Sequence, residues 1–174
     1  MLSFNINPVL FKVGFLEIRY YGLAYVLGIL LTYYYLKRKK ILDEKELDRF
    51  MLYLVVGMFL GARLVGVLSQ DFFILSKDPL EFFRIWNGGM SFFGGFLGGF
   101  LGSYLVLKKR IFHIGDFVVV PVSFILVLGR LANFTNQELV GRVTDVSWCF
   151  NFSTASGCRH PYQLYAAFGQ LILF

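Results

Sequence analysis

Charge is scarce in this chain of 174 residues: only 16% are Asp, Glu, Lys or Arg, where soluble domains carry about a quarter. Proline (four), cysteine (two) and histidine (two) are scarcer still. Each shortage excludes something. So little charge argues against a soluble enzyme and against a disordered chain. Two cysteines cannot build a secreted disulfide scaffold. Neither cysteine stands at metal-ligand spacing with a histidine, so no metal and no cofactor are expected. Residues 1–19 lack a basic region leading into an apolar stretch and a small-residue cleavage site, so no cleavable signal peptide is read there.

What is abundant is apolar: 57% of residues are hydrophobic and 19% aromatic, with a mean hydropathy of +0.64. The excess gathers in four runs, 20–36, 50–68, 89–107 and 114–132, each about 17 to 19 residues against the roughly 20 a helix needs to cross a bilayer. The expected fold is therefore all-α, a multi-pass transmembrane helical bundle forming a single integral membrane domain over 1–174. It has four full spans, and an incomplete fifth helix opens at His160-Pro161, where proline suits a first turn. That last helix covers only about 20 Å before the sequence ends, so the chain is read as the N-terminal part of a longer protein. Asp43 with Glu46 reads as a cap for the second helix, and Pro121 should bend the fourth.

The net charge of +6 could suggest nucleic acid, but its placement points elsewhere. Lys37, Arg38, Lys39, Lys40, Lys45 and Arg49 separate the first two spans, and Lys108, Lys109 and Arg110 separate the third and fourth. Such loops belong on the cytoplasmic side, which puts the N-terminus outside. No nucleic-acid partner is expected; the partner is the lipid bilayer. Cys149 and Cys158 fall in the external stretch after the fourth span, either bridged in an oxidising compartment or as two free thiols.

Polar groups inside apolar spans are expensive and ask for a reason. At about 1.5 Å per residue, Arg63 and Arg130 both sit roughly 20 to 24 Å from the inner surface, in the outer leaflet. Arg19 to Tyr21, Asn87 to Ser91 and His160 to Gln163 open their helices on that same side. Arg130, Asn133 and Asn136 are three apart on one helical face, with Glu138 following, a set suited to a phosphate and its ester oxygens. Gly57 and Gly61, and Gly94 to Gly102, form small-xxx-small patterns read as helix packing.

The run Gly129-Arg130-Leu131-Ala132-Asn133-Phe134-Thr135-Asn136-Gln137-Glu138-Leu139-Val140-Gly141 closely resembles the signature of the bacterial prolipoprotein diacylglyceryl transferases. Tyr20-Tyr21-Gly22, Gly61-Ala62-Arg63-Leu64, Trp86-Asn87-Gly88-Gly89-Met90-Ser91-Phe92 and His160-Pro161-Tyr162-Gln163-Leu164-Tyr165 match further family landmarks in order. The resemblance implies an enzyme of the bacterial inner membrane that moves the diacylglyceryl group of phosphatidylglycerol onto the lipobox cysteine thiol of a prolipoprotein, releasing glycerol phosphate. It also implies that Tyr21, Asn133, Glu138 and Gly141 form the catalytic set, with Arg130, Asn136 and Arg63 at the phosphatidylglycerol headgroup.

Two departures matter. Where the family typically has a histidine in the third-helix motif, this chain has Phe93, which cannot move a proton; Tyr21, Glu138 or His160 then supplies the base, or the thiolate forms in solution. The family usually has Glu where Ala166 stands. The alternative is a non-catalytic phospholipid-binding membrane protein derived from the same family.

Overall fold

In a computed structural model the described residues are 2–3, 9–13, 16–70, 73–85 and 88–172. The chain divides into two compact units, one of Met1–Thr32 with Phe117–Phe174 and one of Tyr33–Asp116. Helices dominate: α1 (Tyr20–Lys39), α2 (Glu44–Gln70), α3 (Ile74–Lys77), α4 (Phe92–Leu107), α5 (Ile111–Thr135) and α6 (Tyr162–Ile172).

The all-α expectation needs one amendment. Short strands β1 (Leu2–Ser3), β2 (Val9–Val13) and β3 (Leu16–Arg19) precede α1, and β4 (Phe150–Asn151) and β5 (Cys158–Arg159) precede α6. β2 and β3 pair antiparallel, while β4 lies between β1 and β5. In these segments strand pairing supplies partners for backbone groups that helical turns satisfy elsewhere.

In the unit of 33–116, α2 begins as its sequence predicts: the Asp43 carboxylate accepts from the Glu46 amide at 2.8 Å, meeting one of the four donors that a helix start leaves open. Ser91 does the same for α4, accepting from Gly94 N at 3.2 Å. The seam between α2 and α4 is glycine. A Cβ at Gly57 would collide with the Gly98 carbonyl, one at Gly61 with that of Gly94, and one at Gly102 with that of Tyr53. Only residues without side chains let the two backbones come so close. Gly98→Ala is accordingly expected to cost about 1–3 kcal/mol by overpacking, seen as a lowered thermal midpoint in detergent. Gly115→Ala, with nothing within 4 Å of the added Cβ, should leave the midpoint in place; equal shifts would remove the seam from the account.

Two helical stretches among the described residues are long and apolar enough to cross a membrane, Glu44–Gln70 and Phe92–Thr135. The second contains the basic 3-10 turn Lys108–Arg110 between α4 and α5, and α1 ends in Lys37, Arg38 and Lys39. In the most apolar windows of the two stretches only 28% and 22% of residues are buried, unlike the core helix of a soluble protein. Phe93, Leu105 and Phe112 are 79%, 67% and 72% exposed, so a wide apolar surface faces outward, as it does in a helix bathed in lipid.

Beyond α2, the Asp78 side chain caps a 3-10 turn at Pro79–Phe83 through the Leu80 amide at 3.1 Å. Arg84, hydrogen-bonded to Asp78, holds that carboxyl below the ordinary carboxylate range.

Candidate functional site

Sequence reasoning singled out two arginines, and the structure treats them oppositely. Arg63, 1% exposed, spends its donors on its own unit's backbone. Nε reaches Phe82 O at 2.8 Å, Nη1 donates to Gly88 O and Gly89 O, and Nη2 donates to Glu81 O and to Arg84 O at 3.0 Å. A cation on an apolar helix is costly unless paired or solvated by dipoles; here a nest of loop carbonyls and the Glu81 carboxylate, 3.5 Å from Nη2, do that work together. Arg130 is half-buried near the end of α5, and among the described residues it has no hydrogen bond or ion pair.

The carboxylate of Glu138 stands in the same unit as Arg130, placed by the way α5 stops. Gln137 N donates to Phe134 O at 3.1 Å and Glu138 N to Asn133 O at 2.9 Å, the paired bonds of a Schellman helix ending, and Gln137 takes the left-handed position with φ 56°. That ending folds Glu138 back over the last turn. Asn133 Nδ2 then donates to Glu138 Oε2 at 3.2 Å and Asn136 Nδ2 to Oε1 at 3.4 Å, a polar contact where such motifs commonly make an apolar one. The Asn133, Asn136 and Glu138 expected together are brought together.

Gly141 is where backbone meets backbone. Its amide donates to His160 O at 3.1 Å, His160 N donates to Arg142 O at 3.0 Å, and Arg159 Nη1 donates to Gly141 O at 3.1 Å. From α6, the fully buried Gln163 donates through Nε2 to Glu138 O at 2.5 Å. Its Oε1 and the Oδ1 of Asn136 are buried acceptors with no partner among the described residues. His160 Nδ1 lies 3.2 Å from the Tyr165 hydroxyl, which accepts from Trp148 Nε1 at 2.8 Å. Tyr21 is the second residue of α1, but its side chain lies outside the described residues, as do Trp86 and Asn87.

Cys149 and Cys158 are bridged, with Cα atoms 5.5 Å apart, which decides between the two readings left open. Gln137 and Gln163 were not assigned roles from sequence; the position of Gln137 inside the Asn-Gln-Glu run was the one available signal, whereas the reach of Gln163 across 25 residues had none. In the same unit an apolar groove of about 170 Å³ lies between the first turns of α1 and the last of α5, lined by residues including Tyr20, Leu23, Leu27, Leu128 and Leu131. A larger opening of about 730 Å³ lies at the basic turn, lined by Tyr104 and Val106 to Arg110; it has no carboxylate among its lining residues and belongs to the other unit, so the chemistry is read at Arg130.

Together these groups offer an uncommitted cation, a carboxylate held by two amides, two open acceptor oxygens and a neighbouring apolar groove. The family model described as prolipoprotein diacylglyceryl transferase matches residues 8–174. Proteins named phosphatidylglycerol–prolipoprotein diacylglyceryl transferase are among the similar ones. That of Sinorhizobium medicae is 40% identical over 178 residues, covering 94% of this chain and 64% of that protein. Those of a Drosophila simulans Wolbachia and of Rickettsia rickettsii are each 40% identical, covering 98% of this chain and 68% and 70% of theirs. The chain thus spans about two thirds of the length of the curated relatives it matches.

Proposed function

Because the chain belongs to the prolipoprotein diacylglyceryl transferase family, we propose that it transfers the diacylglyceryl group of phosphatidylglycerol to the lipobox cysteine thiol of a prolipoprotein, a step of lipoprotein maturation. The observation that carries this reading is Arg130, unpaired among the described residues and three residues before Asn133 of the Asn133–Asn136–Glu138 cluster. A guanidinium without a counter-charge among the described residues on an apolar helix is a ready partner for the anionic group of phosphatidylglycerol, its phosphate.

In the proposed reaction the cysteine sulfur attacks the glyceryl carbon bonded to phosphate, forming a C–S bond as the C–O bond breaks and its electron pair leaves with glycerol phosphate. Arg130 stabilises the charge on the departing phosphate, the electrostatic help that matters most when it grows in the transition state. Glu138, held by the amides of Asn133 and Asn136, accepts the thiol proton in place of the histidine absent at Phe93. The open oxygens of Asn136 and Gln163 suit the hydroxyls of the glycerol headgroup, and the groove lined by Leu128 and Leu131 suits an acyl chain. Arg63 enters as the residue that holds the backbone of 81–84 and 88–89, since its donors are taken.

The setting proposed is the bacterial inner membrane, crossed by four spans with the N-terminus outside. The basic ends of α1 and of the 108–110 turn support it, as does the length of α5, whose 25 residues extend about 37 Å. A disulfide belongs in an oxidising compartment, which supports an external setting for Cys149 and Cys158.

Incubating the protein with phosphatidylglycerol and a lipobox peptide is expected to add a diacylglyceryl mass to the cysteine, read by mass spectrometry. Peptide without mass gain, from folded protein that still binds phosphatidylglycerol, would favour the lipid-binding alternative.

A further inference from the structure

The left-handed residue of a Schellman ending is usually glycine, because a Cβ there is sterically disfavoured. In this chain it is Gln137, at φ 56° and 7% exposed, so something outside α5 must hold it. That something is the hairpin between the two cysteines. Ser153 donates to Gln137 Oε1 from its backbone N at 2.6 Å and from its hydroxyl at 2.9 Å, and Thr154 Oγ1 donates to Gln137 O at 2.6 Å.

The hairpin is itself anchored twice. The Cys149–Cys158 bridge closes it over the pairs Phe150 with Arg159 and Asn151 with Cys158. Phe150 and Phe152 meet the ring of Phe134 edge-on at 5.4 and 5.9 Å between centroids. Both the side chain and the carbonyl of Gln137 are therefore gripped by a covalently closed loop packed on α5.

We propose that Gln137 is the positioning residue for the Glu138 carboxylate: the disulfide-closed hairpin grips Gln137, Gln137 keeps the turn left-handed, and the turn folds Glu138 onto Asn133 and Asn136. The catalytic consequence rests on the reading of Glu138 as proton acceptor given above. The geometric part does not, because the Glu138 amide is bonded to Asn133 O only while the turn persists. Removing the grip frees the residue to leave positive φ, and the carboxylate swings away. Arg130, two turns back on α5, is untouched.

The test uses the full-length protein in nanodiscs containing phosphatidylglycerol and compares wild type, Gln137→Ala and Gln137→Gly, with and without reductant. Amide exchange at Glu138 is measured alongside kcat and KM. Gln137→Ala is expected to speed Glu138 exchange about tenfold and to lower kcat by a similar factor, with KM for phosphatidylglycerol within about twofold. Reductant should move wild type in the same direction and add less to Gln137→Ala, which has already lost both Ser153 bonds and keeps only that of Thr154 to the carbonyl. Glycine sits at positive φ unaided, so Gln137→Gly is expected to stay within about threefold of wild type and to be indifferent to reductant. Wild-type exchange in Gln137→Ala, Gln137→Gly damaged as badly as Gln137→Ala, or a loss confined to KM would each overturn the proposal. A wild type that transfers nothing would sink the proposed reaction while the exchange measurements still decide the positioning.

Discussion

Arg130→Gln is expected to lower kcat/KM for phosphatidylglycerol by roughly 10²- to 10³-fold while leaving the thermal midpoint nearly unchanged. Its charge has no partner among the described residues, so removing it leaves no buried carboxylate or carbonyl stranded. An arginine at the centre of a membrane helix costs on the order of 2.5–3.5 kcal/mol to insert; Arg130 stands near the end of α5, so glutamine relieves only a fraction of that. The functional loss is that of a donor aimed at developing charge, about 2.7–4 kcal/mol or 10²- to 10³-fold in rate. Arg130→Lys keeps the charge but not the planar fork and should fall between. Arg63→Gln is the contrasting case. It strips the loop carbonyls of Phe82, Gly88 and Arg84 of their donor, so stability should drop first, with activity following it. Kinetics and melting on the same preparations separate the two, and wild-type turnover in Arg130→Gln would remove that residue from the headgroup.

What could be read in the sequence is what depends on local spacing. The cap of α2 is a short-range hydrogen bond between the Asp43 side chain and an amide three residues on. The glycine seam follows from a four-residue period in Gly57 and Gly61 facing Gly94 and Gly98. The cluster of Asn133, Asn136 and Glu138 lies within six residues, close enough for helical geometry and the family signature to find it.

Long-range hydrogen bonding stayed hidden. Nothing local marks Arg63 as the centre of a carbonyl nest drawn from residues 81–84 and 88–89, because an arginine in an apolar span reads alike whether it faces a ligand or its own backbone. Nothing marks Gln163 for the carbonyl of Glu138 either. Gln137 ran against the pattern outright: helix endings are sought at glycine, and here a buried side chain stabilises the left-handed turn from outside the helix. The strands β2 and β3 were missed for a related reason, since a hairpin before a long apolar run offers no helical or strand period long enough to weigh.

Gly141→Ala is the sharpest test of how the end of α5 is joined to the start of α6. A Cβ at Gly141 would stand 2.5 Å from the His160 carbonyl oxygen and 2.9 Å from the His160 Cβ. Neither atom can move aside by a change of rotamer. His160 is fixed by its bonds to Gly141 and Arg142, and the residue after it is Pro161. The added methyl must therefore push the two backbones apart, at about 1–3 kcal/mol, which corresponds to roughly a five- to 150-fold loss of the assembled arrangement. Glu138 moves with it, because its carbonyl is tied to Gln163 on α6. The expected result is a kcat lowered by roughly one to two orders of magnitude together with faster amide exchange at His160. Gly129→Ala is the control: it neighbours Arg130 directly, yet its Cβ would meet nothing within 4 Å, so activity should persist. If Gly141→Ala keeps wild-type kcat, Gly141 is only a spacer and the join between the two segments plays no part in holding Glu138.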